Sequence, residues 1–209
     1  MNKKLCSLEK FREDFRDIKS IYITQIYKNL ENYKIEFSLS QGEVIKKFIN
    51  KVPETPGIYY FQANFNNVYK EWSYQKNITE AKQRDNFINI LSTKWDESSL
   101  KKSSGINKVI CKSKTNIRKN INHFADNWVA FYIGKHQNLR HRINEHITGN
   151  DCESTYALRL LDRANIFKNV KFRIYYCELI DFKDDEIFFM VEQFEKEVRS
   201  KVKPICGRQ

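Results

Sequence analysis

The chain contains few glycines and prolines, and it has no long apolar run. Its cysteines do not occur in closely spaced pairs. The five cysteines are scattered and odd in number, and none belongs to a Cys-x-x-Cys pair. This argues against a disulfide framework and a structural zinc site, and it is typical of a reducing compartment. Residues 5–15 are too charged for the apolar core of a signal peptide. We therefore expect a cytoplasmic protein without a membrane partner.

Negative charge is also in deficit. The 209 residues include 37 Lys and Arg against 26 Asp and Glu, which gives a formal net charge of +11. Such an excess favours a polyanionic partner, because neutralised phosphates release their counterions. A Lys-rich protein without a nucleic-acid partner would have the same balance, so charge alone does not decide between the two.

Residues 1–50 are predicted to be helical, because apolar residues recur there mostly at helical spacing. A second helix in this segment is predicted to begin at Ser40, where Glu43 would complete a capping box. Pro53 and Pro56 then end the helical segment.

The remainder alternates between strand-like and helix-like segments. The predicted strands are residues 57–62, 128–133 and 170–180. The predicted helices are residues 79–91, 138–147, 154–166 and 185–202. This order predicts an α+β fold, in which a small antiparallel sheet of about three strands is flanked by helices.

We divide the chain into an N-terminal helical extension, residues 1–50, and a second domain, residues 51–209. The second domain contains an insertion at about residues 63–127, which is tolerable because loop-closure entropy grows slowly with length. Part of the insertion is basic and has no acidic residue, with Lys108, Lys112, Lys114, Arg118 and Lys119. Two interpretations stay open: this stretch follows a nucleic-acid backbone, or it is a solvated loop.

Two of the six glycines belong to two short motifs. Gly57 to Tyr59 (Gly-Ile-Tyr) opens the first predicted strand, and Tyr132 to Gly134 (Tyr-Ile-Gly) closes the second. Two of the three prolines precede the first motif.

Candidate polar residues follow the second motif. Lys135 comes directly after it, and a predicted helix then carries Arg142 and His146, whose four-residue spacing places them on one face. Glu195 lies on the last predicted helix, nine positions before Pro204.

Together these residues resemble the GIY-YIG nuclease family, and the match covers residues 53–62 and 128–204. The residues that carry the resemblance are Gly57, Tyr59, Tyr132, Gly134, Arg142, His146, Glu195 and Pro204. Gly57, Gly134 and Pro204 have structural roles in this motif.

The resemblance implies a hydrolase that cuts DNA phosphodiester bonds with Mg²⁺, or with Mn²⁺ as an alternative. It implies that Glu195 is the metal ligand and that Arg142 donates to phosphate oxygens, with Lys135 as a nearby charge. We add Arg140 and the basic stretch of the insertion as candidate nucleic-acid contacts.

The attacking water must also lose a proton. Tyr59 and Tyr132 are candidates to orient or deprotonate it, although a tyrosine is a poor base unless cations lower its pKa. His146 is a third candidate, and the choice among the three stays open.

Two departures from the family pattern stand out. The two motifs are much farther apart than usual, as in restriction-type members. Many members also have an asparagine three residues after the proline, where this chain has Gly207.

Each candidate taken alone has a plainer explanation. Tyr59 and Tyr132 would be buried core residues of the strands, and Arg142 and Glu195 would be solvent-exposed charges on helices. Glu192 and Glu197 lie close to Glu195 in sequence. Only the joint spacing favours a site.

A zinc site built from the histidines is disfavoured. His136, His141 and His146 follow one another in five-residue steps, which do not share a helix face.

We therefore predict a stand-alone endonuclease of restriction or defence type. A catalytically silent nucleic-acid-binding protein on the same fold and a nuclease toxin are the alternatives. Double-strand cleavage by one small site needs two protomers or sequential nicks, so we expect a homodimer on DNA.

Overall fold

The computed structural model describes residues 2–73, 79–98, 128–149, 156–179 and 185–207. Within these ranges the fold is α+β, with a four-stranded antiparallel open sheet and flanking helices. The strands are β1 (Lys34–Ser38), β2 (Gly57–Asn64), β3 (Val129–His136) and β4 (Lys171–Glu178). The helices are α1 (Asn2–Asn32), α2 (Gly42–Ile49), α3 (Asn66–Ser73), α4 (Glu80–Glu97), α5 (Leu139–Thr148) and α6 (Asp185–Val202). A 3-10 turn spans Leu161–Arg163.

The sheet order is β1-β4-β2-β3, so β2 lies between two partners. Tyr59 on β2 pairs with Gly134 on β3 and with Tyr176 on β4. The two sequence motifs are therefore antiparallel neighbours in the sheet. The C-terminal segment binds the other side of β3, where the backbone N–H groups of Ile205 and Cys206 donate at 3.0 Å and 2.8 Å to β3 carbonyls.

Two cores form because side chains alternate between the faces of a strand. Tyr59 and Phe61 on β2 point into a core rich in aromatic residues, which α2, α3, α4 and α5 cover. Ile58 points to the opposite face, where α1 and α6 contribute Ile26 and Phe194 to a smaller aliphatic core. Tyr59 and Tyr132 of the site described below lie on the aromatic face, whereas Glu195 and Arg199 belong to α6.

Most of the predicted elements are present. The three predicted strands correspond to β2, β3 and β4, and the helices predicted at residues 79–91, 138–147 and 185–202 correspond to α4, α5 and α6. Asn138 caps α5, because its side chain accepts from the backbone N–H of His141. Among the described residues, no helix combines the length and apolar character needed to cross a membrane.

Four expectations about the elements need correction. The sheet has four strands rather than about three, because Lys34–Ser38 forms an edge strand within the segment predicted to be helical. The capping box at Ser40 is wrong, since α2 begins at Gly42 and has no side-chain cap. Helix α3 was not predicted. The helix predicted at residues 154–166 is replaced, over its described part, by irregular backbone and a single 3-10 turn.

The predicted division at residue 50 remains a prediction. Most of the predicted insertion, including its basic stretch with Lys108, Lys112, Lys114, Arg118 and Lys119, lies outside the described residues.

Candidate active site

The hydroxyl of Tyr59 is the point at which the two motifs and helix α5 meet. Tyr59 is almost completely buried, and its Oη lies 2.8 Å from Nε2 of His146. A Cβ atom added to Gly134 would lie 2.4 Å from this same Oη. Only glycine at position 134 therefore leaves room for the Tyr59 side chain. Gly57 is equally close to its neighbours, since an added Cβ would lie 2.4 Å from the carbonyl oxygen of Cys177.

The backbone around Leu158 determines which nitrogen of His146 carries the proton. The backbone N–H of Leu158 donates to Nδ1 of His146 at 3.0 Å, so Nδ1 is an acceptor without a hydrogen. Burial lowers the pKa of His146 well below its ordinary value, and Arg142 lowers it further, so the ring is neutral near pH 7. The remaining proton is therefore on Nε2, which donates to Tyr59. His146 has no nitrogen lone pair left to accept a proton from water.

Tyr59 consequently accepts a hydrogen bond and keeps its own proton for another partner. Burial raises the pKa of Tyr59 well above its ordinary value, and the neighbouring Tyr132 and Glu195 raise it further. Arg142 opposes this shift through its charge and a hydrogen bond to the phenol. The phenol is thus a neutral donor in this state, and further positive charge is needed to ionise it.

Arg142 is held beside Tyr59 by two acceptors. Its Nη1 donates to Oε2 of Glu145 at 2.5 Å, and its Nη2 donates to the carbonyl oxygen of Tyr156 at 2.6 Å. Burial on its own lowers the pKa of Arg142, but the neighbouring Tyr59 hydroxyl and the contact with Glu145 raise it overall. The guanidinium is therefore a fixed positive charge next to the phenol.

Tyr132 lies between the phenol of Tyr59 and the last helix. Its ring stacks on that of Tyr59 with centroids 6.1 Å apart and lies 4.6 Å from the ring of His146. On its other side, the guanidinium carbon of Arg199 lies 5.7 Å from its ring centroid. Tyr132 thus connects the contacts of α5 with those of α6.

Glu195 on α6 is the predicted metal ligand. Oε1 of Glu195 accepts from Nη2 of Arg199 at 2.6 Å and from its Nε at 3.2 Å. The Glu195 side chain is 15% exposed, and within the described ranges no hydrogen bond reaches its other oxygen, Oε2. Its charge raises the pKa of Tyr59, so both residues belong to one electrostatic environment.

Lys135 and Arg140 have partners in other parts of the structure. Nζ of Lys135 lies 4.0 Å from Oε2 of Glu192 on α6. Nε of Arg140 donates to the backbone carbonyl of Val52 at 2.7 Å, and its Nη1 pairs with Glu54. Arg140 thereby anchors the start of α5 to the loop that precedes β2.

The structure therefore brings some of the predicted site residues together and places others elsewhere. The structure brings together Tyr59, Tyr132, Gly134, Arg142 and His146, with Glu195 close by. Pro204 is buried next to the segment that binds the edge of β3.

Sequence reasoning missed two participants, Glu145 and Arg199. Glu145 is three residues after Arg142 on a helix, a spacing that also occurs in exposed ion pairs. Arg199 is four residues after Glu195 and has the same ambiguity. Only burial distinguishes these pairs from surface pairs, and burial is a property of the packed structure.

Comparison with known proteins found no matching family model, no matching curated protein and no matching solved structure.

Proposed function

We propose that this protein is a metal-dependent endonuclease of GIY-YIG type that hydrolyses phosphodiester bonds in DNA. The observation that carries the proposal is the meeting of three separate segments at the Tyr59 hydroxyl: the first motif, Gly134 of the second motif, and His146 of α5. A tyrosine that only fills the core usually has one hydrogen-bond partner for its hydroxyl. Here the phenol also has a fixed arginine beside it.

Tyr59 is the best-placed group to accept the proton of an attacking water once it has lost its own proton to solvent, which the charge of a bound metal would have to favour because burial raises the pKa of Tyr59. The hydrogen bond from Nε2 of His146 and the positive charge of Arg142 both stabilise a phenolate at this position. His146 acts as a donor to Tyr59 and not as the base, because its other nitrogen is occupied by the backbone N–H of Leu158. We propose Tyr59 rather than Tyr132 as the base, because the Tyr59 hydroxyl lies within hydrogen-bond distance of His146.

The residues present also fit a divalent metal. Glu195 offers one carboxylate oxygen, Oε2, that no hydrogen bond from a described residue reaches, and the side chain retains some exposure. The described residues contain no group of three His, Cys, Asp or Glu side chains placed to hold a metal ion. One carboxylate completed by water and substrate phosphate is an arrangement that Mg²⁺ accepts. When bound, Mg²⁺ or Mn²⁺ supplies Lewis-acid stabilisation of the charge that develops on the phosphate.

A cleavage assay with a matched pair of glutamates tests this proposal. The purified protein is incubated with assorted DNA at low salt in Mg²⁺, Mn²⁺ or EDTA, beside Glu195→Ala and Glu192→Ala. Glu192 lies on the same helix and pairs with Lys196 at 2.9 Å. We expect metal-dependent cutting that Glu195→Ala abolishes and Glu192→Ala retains. Binding without cutting in every metal would instead indicate a silent nucleic-acid-binding protein.

A matched pair of tyrosines tests the role of Tyr59. Tyr59→Phe removes only the hydroxyl, and we expect the cleavage rate to fall by about 10²–10⁴, the usual contribution of a general base. Tyr60 is its neighbour on β2 but faces the other side of the sheet, where its hydroxyl accepts from Gln62 at 3.2 Å. Tyr60→Phe should leave the rate within about threefold of wild type, a change of under about 1 kcal/mol. Equal rates for Tyr59→Phe and wild type would exclude Tyr59 as the base.

The proposal also includes a restriction or defence role, action in the cytoplasm and a homodimer on DNA. Discrete cleavage fragments would support a restriction-type specificity. Sedimentation of the protein with a DNA fragment would show whether two protomers assemble on it.

A further inference from the structure

The carboxylate of Glu195 is already engaged by a fixed cation. Two nitrogens of Arg199, Nη2 and Nε, donate to the same oxygen, Oε1, while Oε2 receives no hydrogen bond from a described residue. The pair lies within one helix at a spacing of four residues. Neither side chain is well exposed, at 15% for Glu195 and 16% for Arg199.

Other contacts fix the guanidinium of Arg199 in this position. Nη2 also donates to the backbone carbonyl of Ile133, which belongs to the second motif. The guanidinium packs near the ring of Tyr132, at 5.7 Å from its centroid. These contacts are made to Ile133 and Tyr132 and not to Glu195. They fix the guanidinium at a position next to the Glu195 carboxylate.

Gly207 makes the space that Arg199 uses. A Cβ atom added at position 207 would lie 2.7 Å from Nη1 of Arg199 and 3.2 Å from Cε2 of Tyr132. Gly207 also has a φ of +109°, a conformation that other residues rarely adopt. A residue with a side chain at this position would displace the guanidinium or the tyrosine. The C-terminal segment is therefore shaped to admit this arginine.

A cation at this place has two opposite effects on a metal at Glu195. Ordering the carboxylate favours metal binding, because less side-chain entropy remains to be lost. Repulsion between the guanidinium and a divalent ion on the same carboxylate opposes it. The partly buried location raises the effective strength of that repulsion above its strength in water. The charge effect is therefore the larger of the two.

We propose that Arg199 competes with the divalent metal for Glu195, so that the guanidinium must leave the carboxylate before a metal binds tightly. Arg199 is a positioning residue in this scheme, because it acts on the metal through Glu195. It neutralises the carboxylate in the metal-free protein and sets a high threshold for metal loading. The inference rests on the proposed nuclease function, since it takes Glu195 as the metal ligand.

Direct Mn²⁺ binding tests the competition without any cleavage assay. Mn²⁺ affinity of the full chain is measured by electron paramagnetic resonance of the free ion, without DNA. Arg199→Met removes the charge and keeps much of the side-chain volume, and we expect it to bind Mn²⁺ at least tenfold more tightly than wild type. Arg199→Lys keeps the charge but loses the fork, and we expect an affinity between those of wild type and Arg199→Met.

Arg173→Met is the matched control for net charge and for loss of an ion pair. Arg173 pairs with Glu36 at 2.5 Å, with side-chain exposures of 18% and 44%. This pair joins β4 to the edge strand β1, and Arg173 also stacks on the ring of Trp128. We expect its Mn²⁺ affinity to equal that of wild type. Circular dichroism and thermal melting show whether each variant is folded.

Two results would overturn the competition. The first is an Arg199→Met protein that is folded, as judged by its circular dichroism, yet binds Mn²⁺ no more tightly than wild type. If that variant is unfolded, Arg199→Lys decides, and an affinity equal to or weaker than wild type overturns the proposal. The second is a tenfold gain in Mn²⁺ affinity of Glu195→Gln/Arg199→Met over Glu195→Gln alone. Such a gain would not involve the carboxylate of Glu195. Failure of the nuclease proposal is seen separately in the cleavage assay, as DNA binding without cutting in every metal.

Discussion

Two arginine–glutamate pairs lie on either side of the stacked tyrosines, and they differ in how far they are buried. Arg142 and Glu145 on α5 are 9% and 2% exposed. Arg199 and Glu195 on α6 are 16% and 15% exposed. Each arginine also donates to a backbone carbonyl outside its own helix. The two pairs are thus similar in sequence spacing and in the backbone contact of the arginine, but they differ in exposure to solvent.

The difference separates a structural charge from an available one. A carboxylate as deeply buried as that of Glu145 is stable only with its partner, because an uncompensated charge there is strongly unfavourable. The carboxylate of Glu195 has one oxygen without a hydrogen bond from the described residues and a path to solvent. The deeper pair therefore fixes Arg142 beside Tyr59, whereas the shallower pair can exchange its cation.

The largest expected effect comes from breaking the deeper pair. Glu145→Ala leaves the guanidinium of Arg142 buried without its carboxylate, and we expect the free energy of unfolding to fall by about 3–5 kcal/mol. Urea denaturation measures the change, with Glu195→Ala as the comparison at about 1–2 kcal/mol, because that pair is more exposed. An equal loss for the two variants would show that burial does not distinguish the pairs.

The next effect concerns the tyrosine layer between the pairs. Gly134→Ala places a methyl group 2.4 Å from the hydroxyl of Tyr59, so the phenol must move away from His146. Overpacking of this kind costs about 1–3 kcal/mol. Gly42→Ala is the control, because an added Cβ there has no atom within 4 Å. A loss for Gly134→Ala no greater than for Gly42→Ala would contradict the close approach.

The pH dependence of the free energy of unfolding tests whether His146 is neutral in the folded protein. Arg142 of the deeper pair contributes to that neutral state. The pKa of His146 is lowered in the folded protein by burial and by Arg142, while an unfolded histidine titrates near its ordinary value. Below about pH 6.5 the unfolded chain therefore binds more protons than the folded one, and stability falls as pH falls, by about 1.4 kcal/mol per pH unit from this group. Urea midpoints between pH 8 and pH 5 should show a shallower slope for His146→Gln than for wild type. Parallel slopes would indicate that His146 is protonated in the folded state.

The smallest expected effect extends the comparison to a third pair. Arg140 and Glu54 are 38% and 59% exposed, which makes this the most solvated of the three. Glu54→Ala should change the free energy of unfolding by about 0–1 kcal/mol, as for other exposed ion pairs. The three glutamate variants then form a series ordered by burial. A loss at Glu54 larger than at Glu195 would break that order.

The most instructive wrong prediction is the helix expected over residues 154–166. Apolar residues there recur at helical spacing, yet the backbone from Tyr156 to Leu160 is irregular. Its peptide groups bind α5 instead: the carbonyl of Tyr156 accepts from Arg142, and the N–H of Leu158 donates to His146. In a helix these groups would be used within the segment. The local pattern fails here because the neighbouring helix offers polar partners.

The missed strand β1 has a related cause. Lys34–Ser38 is short and mostly polar, and only its edge position beside β4 makes it a strand. Phe37 is buried against Phe172 of β4, with ring centroids 5.9 Å apart. The alternation of Ile35 and Phe37 with polar residues is a strand pattern, but over five residues it is too short to outweigh the helical spacing that precedes it.

The sequence alone determined the α+β class, most helices and strands, and the order of the motif residues, because side-chain periodicity acts within a few residues. Tertiary structure decided which of those residues meet, as at the Tyr59 hydroxyl. It also decided the proton position on His146 and the different exposures of Glu145 and Glu195. These properties depend on contacts between segments far apart in the chain. Burial, which sets the strength of every charge in the site, exists only once those segments have packed.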